Sequence, residues 1–210
     1  MSVSVTSLTH GGIYGPVVTT PSVSVLSKSL LVLWVGEGSG SSPVSVSGLG
    51  ATWVKAEETQ PVQVWGMLTA YTAAIPKAVT GTVTITFDGG QAVLWDLDQV
   101  QGVDLQAPFV ASNTQIAVSG SPGNASITFA TASKTSNKFL FATEAADLNT
   151  THCSPGETPP WTQLADVADP TGYAELESQI SPGSSDLTAT AVWVGDRFGW
   201  VAIGFELNAK

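Results

Sequence analysis

Apolar and polar residues alternate along much of this chain. Val83, Ile85 and Phe87 fall on one side of an extended backbone, and Thr82, Thr84 and Thr86 on the other. Val201, Ile203, Phe205 and Leu207 alternate in the same way with Ala202, Gly204 and Glu206, as do Val44 and Val46 with Ser45 and Ser47. A period of two with one apolar side is the mark of a strand that buries one face. The stretches 29–35, 52–56, 62–70, 92–99, 116–119, 125–131, 138–143 and 187–194 are further strand candidates. Turn chemistry separates them, at 36–40, at Asp88-Gly89-Gly90, at Ser121-Pro122-Gly123 and at Ser181-Pro182-Gly183. About ten short strands with such breaks predict an all-β fold, a two-sheet antiparallel β-sandwich. No helical period runs beyond two turns, and 171–180 is the best candidate for a short helix.

Two stretches depart from this pattern. Residues 1–22 are rich in Ser, Thr, Val and Gly and include His10, Gly11, Gly12, Ile13, Tyr14 and Pro16. They read as an N-terminal arm, leaving 23–210 as a single sandwich domain. The arm's glycines permit close backbone approach, and Ile13 and Tyr14 are its candidate partner-binding residues. Residues 144–182 carry Pro155, Pro159, Pro160, Pro170 and Pro182 and read as a long loop insertion. The loop is acidic, since 9 of the 17 Asp and Glu residues lie between Lys138 and Arg197, an interval without a basic residue.

Charge narrows the function classes. Seven basic against 17 acidic residues give a net charge of −10. Such a chain has no basic stripe for phosphates, which argues against direct nucleic-acid binding and against docking on an anionic membrane. The longest apolar run, 30–35, is too short to span a bilayer. Cys153 is the single cysteine, so no internal disulfide forms. Met1 is followed by no basic or apolar leader segment, which predicts synthesis in a host cytoplasm.

Candidate chemistry is sparse. A nucleophile needs an oriented base, and the histidines are His10, in the arm, and His152, beside Cys153. Three Cys and His residues in all do not make a zinc site. Asp96 and Asp98 place two carboxylates on one face of a strand, and Asp166 and Asp169 could meet in the loop, the best arrangements for calcium. No carboxylate pair stands out for glycoside hydrolysis. No catalytic, metal or cofactor residue is therefore assigned. Of the seven tryptophans, Trp34, Trp65, Trp95 and Trp193 sit inside apolar strands and read as core. Trp53 and Trp200 are undecided. Trp161 follows Pro159 and Pro160 in the acidic loop and is expected to be partly exposed, as a sugar-stacking platform or a protein-interface anchor.

The strand phrases, taken in order, resemble a jelly-roll-like β-sandwich domain of tailed-phage virion proteins. The phrases are the Ser-Leu-Leu-Val opening at 29–35, Gly-Leu-x-x-Thr-Trp at 48–53, Val-x-Val-Trp at 62–65, Gly-Thr-Val-Thr-Ile-Thr at 81–86, and 92–104 ending in Gly-Val-Asp. The resemblance spans 25–145 and implies a structural or adhesive role without catalytic residues. The expectation is a non-enzymatic capsid decoration protein on the virion surface, bound to the major capsid protein as a homotrimer. A glycan-binding tail or adhesion module is the alternative.

Overall fold

The computed structural model describes the chain except 1, 39–40, 60–65, 121–122, 148–152, 156–160, 169–173 and 194–196; at 146–147, 153–155, 193 and 197–198 it describes the backbone alone. The first half contains β1 (Ser4–Thr19), β2 (Val23–Val25), β3 (Ser29–Glu37), β4 (Ser45–Gly48), β5 (Val54–Glu58), β6 (Met67–Ile75), β7 (Val79–Gly81) and β8 (Val83–Gln101). A 3-10 turn at Ala111–Asn113 leads into the second half. There follow β9 (Gln115–Ser119), β10 (Ala125–Thr128), β11 (Lys138–Asp147), β12 (Cys153–Pro155), β13 (Thr162–Ala168), β14 (Ala174–Ile180), β15 (Thr188–Trp193) and β16 (Arg197–Leu207).

Both halves use one strand order. In the first, β1-β8-β3-β6-β5 form a sheet, β2 pairs with β7, and β4 pairs with the start of β8. In the second, β9-β16-β11-β14-β13 form a sheet and β10-β15-β12 another. Numbered within its own half, each large sheet reads first, eighth, third, sixth, fifth, and each small sheet pairs second with seventh. This is jelly-roll connectivity, with the fifth strand added beside the sixth. The expected all-β sandwich is thus present twice.

Four layers result. Leu31, Leu33 and Val35 of β3 meet Val83, Ile85 and Phe87 inside the first sandwich. Phe139, Phe141 and Ala202 meet Ala125, Ile127, Ala189 and Ala191 inside the second. The two large sheets pack on each other through Leu30, Val32, Trp34, Leu68, Leu94 and Val100 on one side and Leu140, Ala142, Leu176, Val201, Ile203 and Phe205 on the other. Their strands stack in opposite order: β1 lies against β13, β8 against β14, and β6 against β16. The halves therefore face each other much as two subunits do across an isologous contact. Each fully buried Leu or Phe here contributes about 1.5–3 kcal/mol.

β8 is one strand where two were expected. Gly15 of β1 pairs with Gln91 and Val17 with Thr86, so 87–90 bulge out opposite Pro16. The bulge, built on Asp88, Gly89 and Gly90, lets one strand serve both layers of the first sandwich.

The expected arm is the edge strand β1, paired with β8 over nearly its whole length. Its glycines serve packing: a Cβ on Gly11 would lie 2.6 Å from the Trp95 ring, so only Gly lets that indole lie over the strand. Much of the expected loop 144–182 is also strand. The helix candidate is β14, with every residue of Ala174–Ile180 buried because the sheet is covered on both faces.

A glycine likewise fixes the second core. A Cβ on Gly204 would stand 2.4 Å from Phe129 Cζ. We expect Gly204→Ala to cost roughly 1–3 kcal/mol in urea unfolding. Phe129→Leu in the same chain should return part of that loss; no recovery would mean the clash is not with this ring.

Candidate functional site

The most unusual group in the molecule is the acid pair between the two large sheets. β8 reads Leu94-Trp95-Asp96-Leu97-Asp98-Gln99-Val100. Leu94, Asp96, Asp98 and Val100 share the face toward the second half, with Trp95 and Leu97 on the other. Both aspartates are fully buried. Ser178 of β14 donates to Asp96 Oδ2 at 2.5 Å, across the junction of the halves. Ser7 of β1 donates to Asp96 Oδ1 at 2.6 Å. Trp34 Nε1 of β3 donates to Asp98 Oδ2 at 3.0 Å, and no donor reaches Asp98 Oδ1, whose carboxyl lies within hydrogen-bonding reach of Asp96.

Burial raises the pKa of both carboxyls. At Asp96 the bonds from Ser178 and Ser7 and the nearby His10 work against that rise. At Asp98 the negative charge of Asp96 adds to it, leaving Asp98 well above the usual range. A neutral Asp98 can donate its proton to Asp96, which is how two carboxyls share a dry site.

Ser7 also lies 3.4 Å from His10 Nδ1. The constellation holds Ser, His and Asp, yet its order differs from a hydrolytic triad. There the serine proton goes to the imidazole, which the acid orients. Here the serine proton goes to the aspartate, so His10 neither accepts it nor is held by the acid.

Five other acids are buried among the described residues, Glu175 and Glu177 on β14 and three more in contrasting settings. Glu37, at the end of β3, accepts from Gln91 Nε2 at 3.3 Å. Burial pushes it up to about 8, with Glu58 adding to the rise and hydrogen bonds from Ser41 and Gln91 opposing it. Glu144 of β11 packs over Gly36, where a Cβ would come within 3.0 Å of its carboxyl carbon. Glu206 of β16 is fully satisfied, accepting from Asn113, Asn137 and Ser133. Among the described residues no three His, Cys, Asp or Glu side chains converge to hold a metal ion. Asp169, one half of the second calcium pair, lies outside the described residues. The surface depression of about 350 Å3 beside Lys28 and Lys210 holds one carboxylate, Asp104, where glycoside hydrolysis needs two.

The sequence-derived partner residues separate. Ile13 and Tyr14 lie on β1 and are 46% and 64% exposed, with Val17 of the same strand at 53%. Trp161 is not at the surface: it is 2% exposed. Its ring stacks on Phe129 at 6.0 Å and on Phe139 at 6.5 Å, and meets Phe141 edge-on. The two prolines before it suggested a loop, but the second sandwich needs an aromatic to fill its core. A sugar platform or interface anchor at Trp161 would need a ring face that this packing covers. Of the tryptophans read as core, Trp34 and Trp95 are buried. Trp65 and the side chain of Trp193 lie outside the described residues.

Sequence reasoning missed Ser7, Ser178 and Trp34 as partners of the acid pair. The signal within reach was on β8, where Trp95 and Leu97 alternate with Asp96 and Asp98. Leu94 and Val100 flank the two aspartates on their own face, and apolar residues on both faces mark a strand covered on both sides.

No family model matches the chain, nor does any curated protein or solved structure. What the fold defines is its class: an all-β protein of packed antiparallel sandwiches.

Proposed function

We propose that the chain is a non-enzymatic virion structural protein, an accessory protein that decorates a phage capsid by binding the major capsid protein, as a homotrimer. Its opposition to internal pressure would come from buried apolar area and strand pairing. The sequence support is the ordered series of strand phrases over 25–145. The structural observation that carries the reading is the outer strand β1, which presents Ile13, Tyr14 and Val17 to solvent and, among the described residues, pairs along one edge only. Monomeric surfaces seldom leave apolar side chains on an open strand edge, and partner strands dock on such edges. The buried acids favour the same reading, since carboxyls sealed between two sheets are out of a substrate's reach.

Separating virions into heads and tails and probing each fraction with an antibody tests the proposal. The protein is expected with the heads, at a fixed ratio to the major capsid protein. Its recovery with tails, or in neither fraction, would overturn it.

A further inference from the structure

We propose that the chain assembles with copies of itself by strand addition, the edge strand β9 of one copy joining the edge strand β1 of the next. The internal repeat is the starting point. β1 and β9 hold the same place in their halves, each outermost in a large sheet and, among the described residues, paired on one side only. Because the sheets stack in opposite order, β1 lies on the flank of β13 and β9 on the flank of β5. One molecule therefore offers two open edges on opposite sides.

Both edges carry exposed apolar side chains, Ile13, Tyr14 and Val17 on β1 and Ile116 and Val118 on β9. Both also lack charge. No Asp, Glu, Lys or Arg occurs in 1–27 or in 105–133, the two longest uncharged stretches of a chain with net charge −10. Open edges are ordinarily guarded by Lys or other charges against pairing. Among the edges of the two large sheets the guard is missing at the two related by the repeat and present at the other two, where β5 carries Lys55, Glu57 and Glu58 and β13 carries Asp166.

These observations select a second copy as the occupant. A basic partner would be met by the acidic surface, whereas two acidic copies can touch only where neither is charged. β9 has five residues, so the joint is four or five backbone pairs flanked by apolar contacts. It is heterologous and repeats, giving a closed ring if the rotation closes and a filament otherwise. Repulsion between copies makes association stronger as salt rises.

The test uses two single-edge variants of the full chain, Ile13→Lys with Val17→Lys, and Ile116→Lys with Val118→Lys, followed by sedimentation and light scattering. The wild type is expected to exceed 21.6 kDa as concentration and salt increase. Each variant alone stays at the monomer mass. An equal mixture forms a one-to-one pair that grows no further, because each variant keeps one working edge. If a variant's melting temperature drops, Tyr14→Lys or Val118→Lys alone replaces it. A wild type that remains monomeric throughout overturns the proposal, as does association that either variant retains unmixed. This proposal gives the β1 edge to the contact between copies in the homotrimer of the capsid reading: a wild type that stays monomeric overturns both that contact and the homotrimer, whereas self-association by a protein absent from heads overturns the capsid reading alone.

Discussion

Glu206→Ala is expected to cost about 3–5 kcal/mol, among the largest single losses in this molecule. Glu206 lies in β16 on the face turned to the second core, fully buried. Its Oε1 accepts from Ser133 N at 2.7 Å, Ser133 Oγ at 2.8 Å and Asn137 Nδ2 at 2.5 Å, and its Oε2 from Asn113 Nδ2 at 2.6 Å. Burial by itself would raise its pKa, but the bonds from Asn113, Asn137 and Ser133 outweigh that and hold it below the usual value. The asparagines are fixed at their far ends. Asn113 Oδ1 accepts from Ala130 N, and Asn137 Oδ1 accepts from Ala209 N. Neither amide can flip to escape a lost acceptor, so truncation strands several donors at once. Glu206→Gln should recover only part of the loss, since its amide would point a donor at the Asn113 donor or at the Ser133 and Asn137 donors. Urea unfolding at neutral pH measures both variants. A loss under about 1 kcal/mol for Glu206→Ala would show that water or a local shift replaces the carboxylate.

The strands were legible wherever one face is buried and the other is wet. Val83, Ile85 and Phe87 alternate with threonines that stay partly exposed, and the pattern reports the strand directly. Legibility failed where both faces are covered. Ala174, Leu176, Ser178 and Ile180 alternate with Glu175, Glu177 and Gln179, yet all are buried, and acidic residues on a hidden face read as a helix surface. The second jelly roll was missed for the same reason: its central strands carry polar residues inward. β1 was read as an arm because glycine is taken as freedom, whereas Gly11 is there to admit the Trp95 ring. Of the proposed contacts, Ile13 and Tyr14 are on the surface, but nothing local in the sequence revealed that Trp161 completes an aromatic stack. The apolar edge at β9 became meaningful only once strand order showed it to be the counterpart of β1.

The second large effect concerns pH. Stability is expected to fall as pH rises from about 5 to about 8.5, and Asp98→Asn should remove part of that fall. A carboxyl whose folded pKa is raised keeps its proton in the native state after the unfolded chain has released it. Its contribution is complete below the unfolded value and disappears as pH climbs through the folded one. Glu37 covers the window from its unfolded value of 4.5 to about 8. Asp96 and Asp98 act in the same direction. Glu206 and Glu58, both lowered, act oppositely, but their contribution is lost only as pH falls below the usual carboxylate range. Maximum stability therefore lies on the mildly acidic side. The other ionisable group beside the pair is His10 on β1, which meets Ser7, the donor to Asp96, and whose charge favours the ionised form of Asp96. The molecule supplies its own control for the cost of the pair. The corresponding face of β16 carries Val201, Ile203, Phe205 and Leu207, so the same place in the repeat is filled by apolar residues in β16 and by two acids in β8. Asn at position 98 matches a neutral aspartic acid in shape: its oxygen accepts from Trp34 Nε1 and its amide donates to Asp96. Asp98→Asn should change stability little near pH 5 and be the more stable protein near pH 8.5, because the asparagine has no proton for the unfolded chain to release as pH rises. Thermal and urea unfolding of both proteins across that range give the comparison. Equal pH slopes, or a loss at pH 8.5, would mean that Asp98 is already ionised in the folded protein.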